Sequence, residues 1–449
     1  MKKFTPSPLF FLFLVMACAP DQKEKEVKQS ASKKVTIQDV ERGIRANIAR
    51  RVKEGDGYFN FSKDTIDLNL KLVRVHTEYL SVLGSNRFFA CVDLATTTGD
   101  VYDVDFFMEG PAENMKVVQT DVHKLNGKPY YTWKKNKEDK TWFTVPVKNA
   151  SNDLMGVIEE RDEFLFTYEA EFPQLSDSAE MWMPIASTDN FQEVEILSIQ
   201  TSARQVIQQE EKYGNSILYL QLLPEHSNEK IIIKYRVKRT EKTAYTEPKT
   251  DPNNYLESTA LIPVGDRFAT ISKTAIDLRQ ADTPLTKARA LYDYIIDNMR
   301  YAKEGTYGTG DANYACDSKS GNCTEFHSFF ISLARSAGIP ARFAVGASIP
   351  SERNEGGVNG YHCWAEFYAE GKWWPVDISE ANKYTPLATY YFGHHPANRI
   401  EFSRGRDLLP DPAPASGSIN FLAYPILEVK GKKADVKTTF TFERLERES

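Results

Sequence analysis

Apolar and polar residues follow a different pattern in each of three successive stretches of the chain. Over residues 36–53, apolar side chains recur at helical spacing, which predicts an amphipathic helix. A strict alternation over residues 66–72 predicts a strand with one solvated face, and turn residues separate further strand patterns at 87–94, 101–108, 117–125 and 130–133. These elements predict a small α+β domain over residues 36–138, with a helix and an antiparallel sheet.

One helix followed by an antiparallel sheet is similar to a cystatin-like arrangement, which we expect for residues 36–138.

The second and third stretches differ in their balance of strands and helices. Residues 139–250 predict a β-sandwich, with strands at 163–172, 191–199, 216–223 and 230–238. Residues 251–449, which follow a proline-containing break, show helical patterns at 267–279, 284–301 and 323–337 and then strands at 341–346, 361–368 and 373–378. This order predicts an α+β domain with a C-terminal β extension, so that the whole chain is a multidomain α+β protein.

Composition and charge exclude several classes of protein. Of the 449 residues, 41% are hydrophobic and 12% are aromatic, which is typical of a soluble globular protein rather than a disordered chain. The formal net charge of −6 argues against a nucleic-acid partner, because nucleic-acid binders present a basic surface. Past the N-terminus, no run reaches the ~18 apolar residues that a membrane span requires.

The first residues are expected to direct the protein out of the cytoplasm. Lys2 and Lys3 precede a short apolar run, which is typical of a secretory signal peptide over residues 1–17. Val15-Met16-Ala17-Cys18 resembles a bacterial lipobox, whose cysteine is lipidated, and the polar residues 18–35 are expected to form a flexible tether. We therefore expect a protein of the bacterial cell envelope, anchored to the membrane through Cys18 and facing the periplasm or the exterior. An ordinary secreted protein is the alternative.

One cysteine occupies a position suited to nucleophilic chemistry. Asn322 and Glu325 have the spacing of a capping box, which places Cys323 in the first turn of a helix. The helix dipole contributes at most ~2 kcal/mol, so strong activation of the thiol also requires a charged partner. His362 and Asp377 are expected on adjacent antiparallel strands, where they supply a base and the carboxylate that orients it.

Four segments carry a family resemblance. They are Gly321-Asn322-Cys323-Thr324-Glu325-Phe326, residues 332–342, Gly360-Tyr361-His362-Cys363-Trp364-Ala365-Glu366-Phe367 and Trp374-Pro375-Val376-Asp377. All four are similar to segments of the transglutaminase-like core, a papain-related superfamily whose triad follows the order Cys–His–Asp. The resemblance spans about residues 260–395. It implies that Cys323 is the nucleophile, that His362 is the general base and acid, and that Asp377 orients His362. The β-rich segment before the core resembles the sandwich that precedes it in bacterial members.

The resemblance and the residues together predict an extracytoplasmic enzyme that acts on amide or peptide bonds of a protein or peptide substrate through a thioester. Hydrolysis of the thioester is favoured, whereas transfer to an amine would make the protein a transglutaminase. A silent triad in a binding or scaffold protein is a third possibility. Glu366 competes with Asp377 as the orienting carboxylate, but a structural role is expected for it. The backbone N–H of Cys323 is the natural first oxyanion donor, and Asn313 and Tyr314 are candidates for the second.

No cofactor and no metal are expected. His394 and His395 lack companion ligands at metal-binding spacing, and Asp100, Asp103 and Asp105 lack a calcium-loop pattern and are expected on the polar face of a strand. Among the remaining cysteines, Cys91 is expected in a core. Cys316 and Cys363 flank the site, and the sequence leaves open whether any of these three forms a disulfide.

Overall fold

A computed structural model describes residues 35–63, 66–76, 81–84, 87–135, 142–146, 157–303, 305–351, 353–383 and 387–445. The predicted signal peptide, Cys18 and all but the last residue of the predicted tether lie outside these residues. Of the helices within the described ranges, none has both the length and the apolarity needed to span a membrane.

The N-terminal part is one helix packed on a seven-stranded sheet. Helix α1 (Ile37–Glu54) begins at a capping box between Thr36 and Asp39. The strands are β1 (Phe59–Lys63), β2 (Ile66–Val75), β3 (Ser81–Gly84), β4 (Arg87–Ala95), β5 (Val101–Glu109), β6 (Lys116–Leu125) and β7 (Lys128–Pro129). They pair in the order β1-β2-β4-β5-β6-β7, with β3 also on β4. Strands β8 (Tyr131–Lys135) and β9 (Trp142–Pro146) form a separate two-stranded antiparallel sheet. The predicted helix and antiparallel sheet are confirmed, and the cystatin-like arrangement stays a prediction.

Two five-stranded sheets form the predicted β-sandwich. The first five of its strands in the chain are β10 (Arg161–Glu171), β11 (Ala179–Ile185), β12 (Gln192–Gln200), β13 (Arg204–Gln209) and β14 (Ser216–Leu222). The others are β15 (Lys230–Thr240), β19 (Glu355–Val358), β23 (Ile426–Val429), β24 (Lys432–Ala434) and β25 (Lys437–Arg444). One sheet has the order β12-β15-β10-β25-β19 and the other β13-β14-β11-β23-β24, and they share one apolar core.

The sandwich contains strands that the sequence pattern assigned elsewhere. The predicted boundary at residue 250 put the C-terminal β extension with the α+β domain of residues 251–449, but β23, β24 and β25 belong to the sandwich sheets. The physical reason is pairing between strands far apart in the chain: β25 lies beside β10 along its length, and Phe440 and Phe442 point into the sandwich core. Such pairing leaves no local signal in the sequence.

The remaining elements surround a four-stranded sheet in the order β21-β20-β18-β22. Its strands are β18 (Ala341–Ser348), β20 (His362–Ala369), β21 (Lys372–Val376) and β22 (Arg399–Arg404). The helices are α2 (Asp266–Leu278), α3 (Pro284–Asn298), α4 (Ala312–Ser318), α5 (Cys323–Ser336) and α6 (Ile378–Lys383), and β16 (Arg300–Tyr301) pairs with β17 (Ser320–Gly321). Helix α3 ends three residues before the predicted end because Met299 is extended. Helix α5 is buried along nearly its whole length.

Buried ion pairs join the N-terminal sheet to α3. Arg289 Nη2 lies 2.6 Å from Asp93 Oδ2, and Arg74 Nη1 lies 2.6 Å from Asp293 Oδ1. Arg289 also bonds Asp293 within α3, at 2.9 Å. Removing or displacing one charged side chain of this network would leave its partner buried without a compensating charge, which is strongly destabilising. The contacts therefore hold the N-terminal sheet against α3.

Candidate active site

The start of α5 holds Cys323 in a fixed position. Asn322 is the N-cap residue, and its Oδ1 accepts a hydrogen bond from the Thr324 backbone N–H at 2.8 Å. Glu325 Oε2 accepts one from the Asn322 N–H at 3.0 Å, which completes the predicted capping box. Cys323 is therefore the first helical residue, where the backbone N–H groups have no partner within the helix. Its side chain is 3% exposed.

Glu325 has a second function that the sequence did not reveal. Its Oε1 accepts hydrogen bonds from the backbone N–H groups of Gly308 at 2.9 Å and Gly310 at 2.8 Å. The side chain lies against Gly321, where an added Cβ would be 2.4 Å from Glu325 Cβ. One buried carboxylate thus ties the loop before α4 to the beginning of α5.

His362 and Asp377 meet at the ends of two paired strands. The ladder places Ala365 opposite Val376, so Asp377 follows β21 close to the level where His362 begins β20. His362 Nε2 lies 2.6 Å from Asp377 Oδ2. The other carboxylate oxygen accepts hydrogen bonds from Ser379 Oγ at 3.0 Å and the Glu380 N–H at 3.1 Å. Asp377 is fully buried and held from both sides.

The pKa shifts in the site favour a thiolate on Cys323 and a protonated imidazole on His362. The pKa of the Cys323 thiol lies well below its usual range because the Cys363 thiol and the His362 ring hydrogen-bond to it, although burial opposes the shift. Burial alone would lower the pKa of His362, but Asp377 and Cys323 raise it to about 9. The pKa of Asp377 is lowered against burial by His362. With Nε2 on Asp377, the ring nitrogen that remains for Cys323 is Nδ1.

His327, one turn along α5, is a site residue that sequence reasoning missed. Its Nδ1 lies 2.7 Å from the Cys323 carbonyl oxygen, and its Nε2 accepts a hydrogen bond from the Ile378 N–H at 3.0 Å. A carbonyl can only accept and an amide N–H can only donate, so the ring is neutral with its proton on Nδ1. Burial correspondingly lowers the pKa of His327. The His327 ring joins the helix that begins at Cys323 to the backbone after Asp377.

Cys363 lies beside Cys323 as a thiol. Its Sγ is 3.8 Å from His327 Nδ1, and its side chain hydrogen-bonds with Cys323. Burial raises the pKa of Cys363 well above its usual range. Cys91, Cys316, Cys323 and Cys363 are all free, so the described residues contain no disulfide.

Glu366 belongs to a buried ion network instead of the triad. Lys242 Nζ lies 2.8 Å from Glu366 Oε1, and Arg342 Nε lies 2.7 Å from Glu366 Oε2. The Tyr245 hydroxyl donates a further hydrogen bond to Oε2 at 2.9 Å. Both carboxylate oxygens are occupied, which agrees with the expected structural role.

The candidate oxyanion donors Asn313 and Tyr314 lie on α4, and His395 lies near Asp377. Asn313 is exposed on α4, and the Tyr314 hydroxyl points toward Gly305. His395 is buried with its Nε2 3.9 Å from Asp377 Oδ2, and its ring contacts Trp364 with a centroid separation of 4.1 Å.

Three aspartates predicted on a polar strand face are placed differently. Asp103 and Asp105 lie at alternate positions of β5 and form a polar face of that strand, as predicted, but they are 2% and 0% exposed, so this face is buried. Asp100 precedes β5 and lies 3.4 Å from His394 Nε2.

A groove of about 290 Å³ adjoins the N-terminus of α5. Tyr361, Phe421 and Tyr424 form an aromatic wall, and Gly308 lies in the wall next to Asn322. The Tyr361 hydroxyl accepts a hydrogen bond from Asn322 Nδ2 at 3.3 Å. Two residues of the groove, Gly308 and Tyr361, therefore hydrogen-bond to the residues that cap the helix of Cys323.

Comparison with known proteins gives a family for this part of the chain. Residues 272–378 match the Transglutaminase-like superfamily, so the chain contains a transglutaminase-like domain, as the motifs predicted. An uncharacterized protein of Haemophilus influenzae is 27% identical over 321 residues, which cover 60% of this chain and 86% of that protein.

Solved structures are similar at a greater distance. A candidate cysteine protease from Cytophaga hutchinsonii has a TM-score of 0.43 at 15% identity, covering 65% of this chain and 93% of that one. A TGase structure has a TM-score of 0.21 at 16% identity, covering 40% of this chain and 44% of that one. At these TM-scores the likenesses are remote, and nothing about activity follows from them.

Proposed function

We propose that this chain is a cysteine acyl-transfer enzyme that hydrolyses an amide or peptide bond of a protein or peptide. The observation that carries the proposal is the pairing of a thiol of lowered pKa, at a helix N-terminus, with an imidazole that lies 2.6 Å from a buried carboxylate. The three groups have the roles of nucleophile, acid–base and orienting residue in acyl transfer.

In the first half of the reaction, the Cys323 thiolate attacks the carbonyl carbon and a C–S bond forms. The negative charge moves to the carbonyl oxygen, which the backbone N–H of Cys323 and the positive end of α5 stabilise. His362 gives its proton to the leaving nitrogen as the C–N bond breaks, and a thioester remains on Cys323.

In the second half, His362 takes a proton from a water molecule that attacks the thioester. The tetrahedral intermediate collapses, the C–S bond breaks, and the carboxylic acid product leaves with the Cys323 thiolate restored. Asp377 keeps the His362 ring in one orientation during both proton transfers. The aromatic groove beside Asn322 suits a peptide segment, because the faces of its Tyr and Phe rings can bury the side chains of a peptide.

The reaction is tested with a glutamine-containing peptide and a labelled primary amine. Cleaved peptide or released ammonia without incorporation of the amine supports hydrolysis. Incorporation of the amine would show that the protein is a transglutaminase instead. Both signals should vanish in Cys323→Ala and remain in Cys316→Ala, which removes a free thiol elsewhere. If Cys323→Ala retains the activity of the wild type, the proposal fails.

We also propose that the enzyme is a lipoprotein of the cell envelope, on the pattern of residues 1–18. Lipidation of Cys18 would add membrane affinity through the buried CH₂ groups of the acyl chain, while the rest of the protein stays in water. Metabolic labelling with a palmitate analogue should mark the wild type and leave Cys18→Ala unmarked. An unlabelled wild type, or equal labelling of both proteins, would remove this part of the proposal.

A further inference from the structure

Four buried side chains of metal-ligating type meet on the N-terminal sheet. Cys91 lies on β4, Asp103 and Asp105 lie on β5, and His123 lies on β6. Val104, between the two aspartates, belongs to the core under α1, and successive residues of a strand point to opposite faces. The group therefore occupies the face of the sheet opposite α1.

Strand register brings the four residues together although they are far apart in sequence. Cys91 is directly opposite Asp105 in the β4–β5 ladder. The β5–β6 ladder pairs Val122 and Lys124 with consecutive residues of β5 and skips His123 between them. Bulges of this kind redirect a side chain. His123 Nδ1 lies 3.4 Å from Asp105 Oδ1 as a result.

The donor atoms have the chemistry and spacing of a transition-metal site. One atom from each of the four residues lies within 4.8 Å of the other three, and Cys91 Sγ is 3.1 Å from Asp105 Oδ1. Tetrahedral Zn²⁺ with bonds of about 2.0–2.3 Å sets its ligands about 3.3–3.8 Å apart, so a contraction of roughly 1 Å is sufficient. Thiolate and imidazole ligands favour Zn²⁺ over Mg²⁺ or Ca²⁺.

Charge at the group also favours a cation. Asp103 and Asp105 are 2% and 0% exposed. Lys124 Nζ bonds Asp103 Oδ2 at 2.8 Å, while Asp103 Oδ1 is buried and has no hydrogen-bond partner among the residues that the structure describes. Buried carboxylate oxygens are normally paired or bound to a metal.

We propose that Cys91, Asp103, Asp105 and His123 bind one Zn²⁺ ion in a structural site. On binding, the Cys91 thiol releases its proton to solvent and a Zn–S bond forms. Four protein ligands close the coordination sphere, so the ion holds strands together and takes no part in the acyl-transfer reaction. Asp93, opposite Asp103 in the ladder, bonds Arg289 of α3, so the site braces the sheet where it meets the transglutaminase-like domain.

The test uses the full chain with Cys323→Ala, which prevents the candidate nucleophile from binding metal. After chelator treatment, the protein is titrated with Co²⁺ and with Zn²⁺. We expect one Co²⁺ per chain with the absorption of tetrahedral, thiolate-ligated cobalt, displacement of Co²⁺ by Zn²⁺, and a higher thermal midpoint with Zn²⁺. Cys91→Ser should abolish the thiolate-to-cobalt band, and Asp103→Asn or His123→Gln should weaken Zn²⁺ affinity at least ~10-fold, the smallest loss typical even of residues that only support a ligand.

The matched control is Cys316→Ser in the same background, which should bind as the parent does. A parent protein that binds less than a tenth of an equivalent, or that shows no thiolate band, would overturn the proposal without any variant. Binding that persists unchanged in both Cys91→Ser and His123→Gln would overturn it equally. Metal binding is independent of the hydrolytic activity, so neither result depends on the proposed function.

Discussion

At the scale of single residues, the Asp377 carboxylate controls how strongly the His362 imidazole holds its proton. The carboxylate is buried and lies 2.6 Å from the imidazole, and together with Cys323 it raises the pKa of His362 to about 9 although burial acts in the opposite direction. An imidazole that remains protonated to pH 9 can give its proton to a leaving amine throughout the neutral range.

Asp377→Asn tests this charge effect. The variant removes the carboxylate that favours the imidazolium, so the pKa of His362 should fall toward the ordinary value of about 6.5. His362 must be protonated for the first half of the reaction, so the alkaline limb of kcat/KM should move from about pH 9 to lower pH, and the maximum should fall at least ~100-fold. The pH profile of peptide hydrolysis measures both quantities.

Asp100→Asn is the matched control, because it removes a carboxylate beside another histidine, His394. It should leave the alkaline limb in place. An alkaline limb that is unchanged in Asp377→Asn would mean that Asp377 does not set the proton affinity of His362.

At the scale of elements, the N-terminus of α5 is held by one buried carboxylate. Glu325 accepts hydrogen bonds from the backbone N–H groups of Asn322, Gly308 and Gly310. Glu325→Gln keeps the shape of the side chain but turns one acceptor oxygen into an NH₂ donor. The Asn322 N–H then lies against the new NH₂ group, which cannot accept its hydrogen bond, and both donors are buried.

We therefore expect Glu325→Gln to lower the free energy of unfolding by about 1.5–3 kcal/mol, the range for hydrogen bonds to a charged group. Urea unfolding measures it as a lower midpoint at an unchanged slope. Glu443→Gln, at an exposed position of β25, is the control and should leave the midpoint where it is. Equal midpoints for all three proteins would show that the carboxylate does not hold the helix start.

Local sequence patterns predicted the helices and strands of the site, but they could not predict contacts between segments that lie far apart in the chain. The capping box at Asn322 and the hairpin that brings Asp377 level with His362 follow from spacing alone, and both are present. His327 was missed because a buried histidine on an apolar helix face has no distinguishing pattern until its two partners are seen. Cys91 and His123 lie on different strands, and only the bulge in β6 brings them together.

At the scale of the whole molecule, the sandwich and the transglutaminase-like domain share side chains. Phe440 of β25 contacts Phe402 of β22 with a centroid separation of 5.6 Å, and Tyr168 of β10 at 4.7 Å. Strand β22 pairs with β18 in the sheet that also carries His362. The aromatic cluster therefore connects the two parts through their cores.

Phe440→Ala should destabilise the protein by about 3–5 kcal/mol, because it leaves a cavity in this shared core. The loss of circular dichroism and the loss of peptide hydrolysis on heating should shift together to lower temperature. Thr439→Ala, exposed on the same strand, should shift neither. A separate transition for the sandwich, with the activity midpoint unmoved, would show that the two parts unfold independently.

The proposed reaction requires that Cys323 is a thiolate paired with protonated His362 before substrate binds. The most direct measurement is the ultraviolet absorbance of the thiolate as a function of pH, taken as the difference between the wild type and Cys323→Ser. For this ion pair we expect a midpoint well below the ~8.5 of a free thiol and a rise of that midpoint in His362→Gln. A wild-type midpoint at or above ~8.5 that His362→Gln leaves unchanged would contradict it.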